Sequence, residues 1–144
     1  MAVDKILRTF DPKKISITFL NIIVTGIAEG DFVESTGEDG FEMRKGSAGD
    51  EDRVNKNETG RDVNITLMNT SITNDAFSAA FAADAANNTG KGPLTIKDLN
   101  GTTLLFSSQA YIKKKADWTR GDSAGTTVWN FRAPQVVENV GGNA

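Results

Sequence analysis

The sequence contains no cysteine and no histidine. Without histidine, a Ser-His-Asp or Cys-His triad cannot be assembled. Without either residue, the usual Cys/His zinc site is excluded, and without cysteine there is no disulfide framework of the kind that staples small secreted scaffolds. The N-terminal "MAVDKILRTFDPKK" has no apolar core long enough for a signal peptide. No run approaches the ~20 apolar residues that a membrane span needs. These absences predict a protein made and kept in a cytoplasm-like compartment unless an assembly carries it out, with no membrane anchor, no cofactor and no catalytic activity.

The 144 residues point to one domain covering 1–144. At 38% apolar and 24% charged, the composition is that of a globular chain with an ordinary core. The net charge of −3 is mild and argues against a basic, nucleic-acid-coating face.

Hydrophobic periodicity is mostly two. Residues 1–14 read as a short basic arm that Pro12 interrupts. In "KISITF", Ile15, Ile17 and Phe19 alternate with Ser16 and Thr18, as in a half-buried strand. A turn at Leu20–Asn21 leads into "IIVTGIAEG", and "DFVES" extends the strand pattern to Ser35. "FEM" is a candidate strand start running into a polar stretch. "DVNITLMN" alternates strictly, with Val63, Ile65 and Leu67 on one face. The period then changes once, in "TSITNDAFSAAFAADAANNTG", which predicts a single helix over Thr73–Asn88. Thr73 or Asn74 is its expected cap, Phe77, Ala80, Phe81 and Ala85 its apolar face, and Asn87, Asn88 and Gly90 its stop. "GPLTIKDLNGTTLLFSSQAYIKK" predicts a hairpin with a two-residue type I′ turn at Asn100–Gly101. A last strand carries Trp129 and Phe131 on one face, and residues 141–144 form a free tail. The expected fold is mainly β, a sandwich or half-barrel of packed antiparallel sheets with one flanking helix.

Several motifs fail on their chemistry. "GDSAG" matches a nucleophile elbow, but it has no histidine partner and precedes a strand rather than a helix. "GDEDRVNKNE" offers Asp50 and Asp52 to a calcium loop, yet Asn55 stands where a glycine belongs and Arg61 where a bidentate glutamate belongs. "GKG" lacks the spacing of a phosphate loop. "IKKK", ending at Lys115, reads as a guard on a strand edge. Trp118 and Trp129 could stack on a sugar, although core packing is the commoner fate of a strand Trp.

The stretch "MRKGSAGDEDRVNKNETGRD", residues 43–62, is the conspicuous feature. Met43 and Val54 are its only large apolar side chains. A structureless loop of this length in a compact domain is uncommon unless it is functional or disordered.

The segment "NTSITNDAFSAAFAADAANNTGKGPLTIKDLNGTTL" resembles the tail-tube proteins of contractile-tailed bacteriophages. "FDPKKISITF", "VTGIAEGDFV", "EDGFEMRKGSAGDEDRVNKNETGRDVNITL" and "VENVGGN" follow in that family's order, so the resemblance covers nearly the whole chain; the charge-dense "AGDEDRVNKNE" departs from it. The resemblance implies a structural subunit of a virion tail, assembled in the host bacterial cytoplasm. Such subunits join edge to edge into hexameric rings, and the rings stack into a DNA-conducting tube for DNA ejection. Sheath protein, baseplate and tail terminator are the implied partners. A tube of a tail-like particle or secretion system is a variant of this reading. In tubes of this kind the long loop reaches neighbouring rings, which makes Arg44, Lys45, Asp50, Glu51, Asp52, Arg53, Lys56 and Glu58 candidate inter-ring contacts. The loop is expected to be mobile in the free subunit. A net acidic lumen would let DNA slide, and Glu29, Asp31 and Glu34 are its candidates. The alternative class is a small soluble β-sandwich binding module using Trp118 or Trp129.

Overall fold

The computed structural model describes residues 7–142. The expectations for residues 1–6 of the arm and 143–144 of the tail lie outside this range. The chain forms β1 (Ile15–Phe19), β2 (Ile22–Ile23), β3 (Val33–Thr36), β4 (Phe41–Lys45), β5 (Glu51–Asn55), β6 (Arg61–Met68), α1 (Thr73–Asn87), β7 (Gly92–Asp98), β8 (Leu104–Ile112), β9 (Thr126–Ala133) and β10 (Val137–Asn139). All strand pairs are antiparallel. The mainly-β expectation with one flanking helix therefore holds.

The main sheet runs β2-β1-β7-β8-β9-β6-β3. Strand β8 is its seam. One edge pairs β7; the other pairs β10 at Leu104–Phe106 and β9 at Tyr111–Ile112. A bulge sits at the seam, because Leu94 faces Ser107 while Gly92 faces Ala110. The extra residue resets the alternation, so Leu105 and Ser107 are buried before it and Ala110 and Ile112 after it. Bulges bend the strand that carries them. The sheet consequently folds back on itself: Phe19 of β1 meets Phe131 of β9 at 4.9 Å, although two strands separate them in the sheet order.

The helix covers the fold. Phe77 is fully buried and meets Phe19, Trp129 and Phe131 edge to face at 6.1, 5.6 and 5.3 Å. Ala80 and Phe81 pack beside it, but Ala85 is exposed and Asp84 takes the inward position of that turn. The expected N-cap also differs. Ile72 is the cap residue and makes no side-chain cap bond. The Thr73 hydroxyl accepts from Thr25 N at 3.0 Å instead, and the Asn74 amide reaches back to Met68 O at 3.0 Å. Tertiary partners have taken the groups that would otherwise cap. The helix stop is as expected: Asn88 is left-handed and Gly90 N donates to the Asp84 carboxylate.

Two turns exchange roles. Leu20 and Asn21, both at positive φ, make the two-residue hairpin between Phe19 and Ile22. Asn100 and Gly101 do not adopt positive φ, so the expected type I′ turn is absent there. Asn100 is buried and clamps the arm, its Oδ1 accepting from Asp11 N and its Nδ2 donating to Asp11 O, both at 2.9 Å. The same loop ties down the other end of the chain: Thr102 N donates to Gly142 O at 3.1 Å, and Gly141 N donates to the Thr103 hydroxyl at 3.1 Å. Gly141 and Gly142 are therefore fastened rather than free. Lys113 guards no edge; its N–H donates to Asn130 O and continues the β8–β9 pairing.

Phe77→Ala should destabilise the fold by about 3–5 kcal/mol, because it empties the centre of the aromatic cluster. Urea denaturation checks this; a loss below about 1 kcal/mol would mean that the helix is not what holds the folded sheet together.

Candidate functional site

The polar stretch is not a structureless loop. β4 and β5 form a regular hairpin that, among the described residues, pairs with no other strand. Gly46 N donates to Asp50 O at 2.8 Å, and Gly49 N donates to Gly46 O at 3.2 Å with Gly49 at φ +92. This is the three-residue connection in which a type I turn is closed by a glycine bulge. "SAG" at the tip was the signal for it, hidden because apolar alternation stops after Phe41 and Met43.

The hairpin is an arm. All its strand residues are exposed except Val54, which is half-buried. The register places Arg44 opposite Asp52, Lys45 opposite Glu51 and Met43 opposite Arg53. Charges of opposite sign therefore face one another within the arm, which favours the hairpin locally. Phe41, Met43, Lys45, Glu51 and Arg53 share one face. The Arg53 guanidinium lies 4.5 Å from the Phe41 ring centroid. Phe41 and Met43 are 52% and 58% exposed, an apolar pair on a projecting element.

The remaining arm candidates belong to its base. Lys56 N donates to Gly40 O, and its ammonium lies 4.0 Å from Glu38. Glu58 accepts from Gly60 N at 2.8 Å and pairs with Arg132 at 3.6 Å. Glu58 is thus held within its own chain.

Glu29, Asp31 and Glu34 are all exposed, but they do not lie on one strand. Glu34 points outward from β3 opposite Asn64. Glu29 and Asp31 lie in the irregular segment before β3, since the Gly26 and Gly30 conformations, at φ +69 and +81, break the extended run. Trp129 is buried, and its indole N–H donates to Asn74 Oδ1 at 3.0 Å. It is a core residue and cannot stack on a sugar. Trp118 is 70% exposed, with Arg120 beside its ring at 5.4 Å.

Residues that sequence reasoning missed tie β10, which branches from β8, to β6 and β3. Glu138 of β10 pairs with Arg61 of β6 at 3.0 Å and accepts from the Ser35 hydroxyl of β3 at 2.9 Å. Arg61 also donates to Ser35 Oγ and Ser35 O, at 3.0 and 3.1 Å. Among the described residues, the open edges of the main sheet are β2, β3 and β10, the terminal members of its pairing network. On the outer face, Ile23, Thr18, Thr95, Phe106 and Val137 stand in one register row.

No family model and no curated protein sequence matches the chain. Among solved structures, it is similar to the tube-terminating cap of the anti-feeding prophage, with TM-score 0.65 and 11% identity over 99% of this chain and 97% of that one. It is also similar to the PVC sheath/tube terminator of an extracellular contractile injection system in the extended state, with TM-score 0.62 and 11% identity over 94% and 99%. The chain shares the fold of these two terminators.

Glu138→Ala should lower stability by about 1–3 kcal/mol, since it strands a half-buried guanidinium. Glu138→Gln, which can still bond Ser35, should cost less. Equal, negligible losses by thermal denaturation would show that the Arg61–Ser35–Glu138 cluster does not tie β10 to β6 and β3.

Proposed function

We propose that this chain is a structural subunit of a contractile-tail inner tube, forming stacked hexameric rings through which DNA passes. It works beside a sheath in the virion tail and has no catalytic role. The arm carries this reading. An isolated two-stranded hairpin is marginally stable in water, yet here ten strand residues project with Phe41 and Met43 uncovered. A surface of this kind requires a partner, and a neighbouring ring supplies one. The open edges at β2, β3 and β10 supply the lateral contacts, because ring closure pairs edges that would otherwise invite uncontrolled pairing.

A second reading has its own observation. The two solved structures described above are named as tube-end proteins, a cap and a terminator. On that reading the same ring forms once, at the end of a tube built from another protein. The arm favours the stacking subunit, since a repeated contact uses it on every ring. For the lumen wall, Glu34 is the candidate that lies on an exposed strand face; Asp31 lies outside that strand.

Electron microscopy of the purified protein separates the readings. Extended tubes are expected. Single rings that never stack would favour the terminator, and monomers at all concentrations would sink both. Replacing residues 42–54 with a short Gly/Ser linker should leave the subunit folded but shorten or abolish tubes. Hydrogen exchange of the same residues should slow at least tenfold from subunit to tube; fast exchange in both would mean that the arm is solvated throughout.

A further inference from the structure

The arm and an apolar groove lie at opposite ends of the same short strand. β3 enters from Phe32 at one end and leads to the arm beyond Thr36 at the other. The groove lies before Phe32. It has a volume of about 670 Å³ and is walled by Phe10, Ile15, Ile27 and Phe32, with Lys13 and Glu29 on its rim. Ile27 bridges to Leu67, near the far end of β6, whereas the arm returns into β6 at Arg61. In an extended strand, Arg61 and Leu67 are about 20 Å apart.

An arm at one end and a groove at the other, on a single chain, define a head-to-tail contact. Such contacts are heterologous and propagate from copy to copy. The chemistry is also complementary. The arm presents Phe41 and Met43 with Arg53 and Glu51 on the same face. The groove offers apolar walls with one anion and one cation at its rim, both exposed.

We propose that the occupant of this groove is the arm of a second copy of this chain, with Phe41 and Met43 entering it and Arg53 facing Glu29. This rests on the stacking reading above and names its receiving site. It removes Glu29 from the lumen and makes it a ring-to-ring contact. One strand-length of separation between plug and socket then sets the polarity of the stack.

The chain has no native cysteine, so crosslinking is clean. Met43→Cys and Glu29→Cys are placed on separate copies; both positions are exposed. After assembly and mild oxidation, the mixture should give a disulfide-linked dimer at least tenfold above either variant alone. Phe106→Cys, on the outer sheet face, is the comparison and should not crosslink to Met43→Cys. Arg53→Glu or Glu29→Arg alone should raise the protein concentration needed for stacking about two- to fivefold, as expected for one exposed ion pair, and the double reversal should restore it. Stacked rings with no 43–29 crosslink, or with a 43–106 crosslink, overturn the groove assignment while the stacking reading stands. Failure to stack at all overturns both.

Discussion

The contact of Phe77 with Phe19, Trp129 and Phe131 is what allows a single antiparallel sheet to serve as its own second layer. A sheet of this length must bury one face, and among the described residues a single α-helix covers it. The bulge in β8 bends the sheet, and the rings then meet edge to face across the fold. The buried face of the main sheet packs around this cluster. The Trp129 indole is held by Asn74 at the start of the helix, so the helix position and the sheet curvature fix each other.

Folding a sheet this way brings β10, the branch from β8, beside β3 and β6 without a ladder between them. A polar cluster of Arg61, Ser35 and Glu138 bridges these strands instead of backbone bonds. The edges of β2, β3 and β10 stay available. A strand edge with unpaired N–H and C=O groups is a hazard for a monomer and a resource for a subunit. The arm follows the same logic. Its backbone is paired internally, its charges are matched across the two strands, and its apolar pair is left uncovered. The fold shared with two tube-end proteins places these features on a scaffold that is found in contractile injection systems.

The "KDLNGTT" loop shows how one short motif can hold several parts of a chain. Asp98 and Asn100 shape the turn, Asn100 clamps Asp11, and Thr102 and Thr103 fasten Gly141 and Gly142. Its side chains serve backbone groups that are far away in sequence. Its look of a hairpin turn was correct in position and wrong in kind. The two-residue turn belongs to Leu20–Asn21, where the bond from Leu20 N to Pro93 O stabilises a left-handed leucine that local preference would not choose.

Strand and helix content was legible because alternation in "DVNITLM" and "TVWNF" and the single change of period at Thr73 are local properties. The helix stop at Asn88 was legible for the same reason, since a left-handed Asn is a local solution. The arm was legible only at its start, where Phe41 and Met43 alternate with Glu42, because "RK" and "EDRVN" add no further hydrophobic period. The helix cap was lost to Thr25, and the groove to residues 10–32 that converge only in space. What the sequence determined by itself is which segments extend, which one coils, and that neither histidine nor cysteine chemistry is available. What only the tertiary structure decided is where the sheet bends, which edges stay open and that arm and groove lie at opposite ends of one strand. Those depend on contacts between residues far apart in the chain, and no local pattern encodes them.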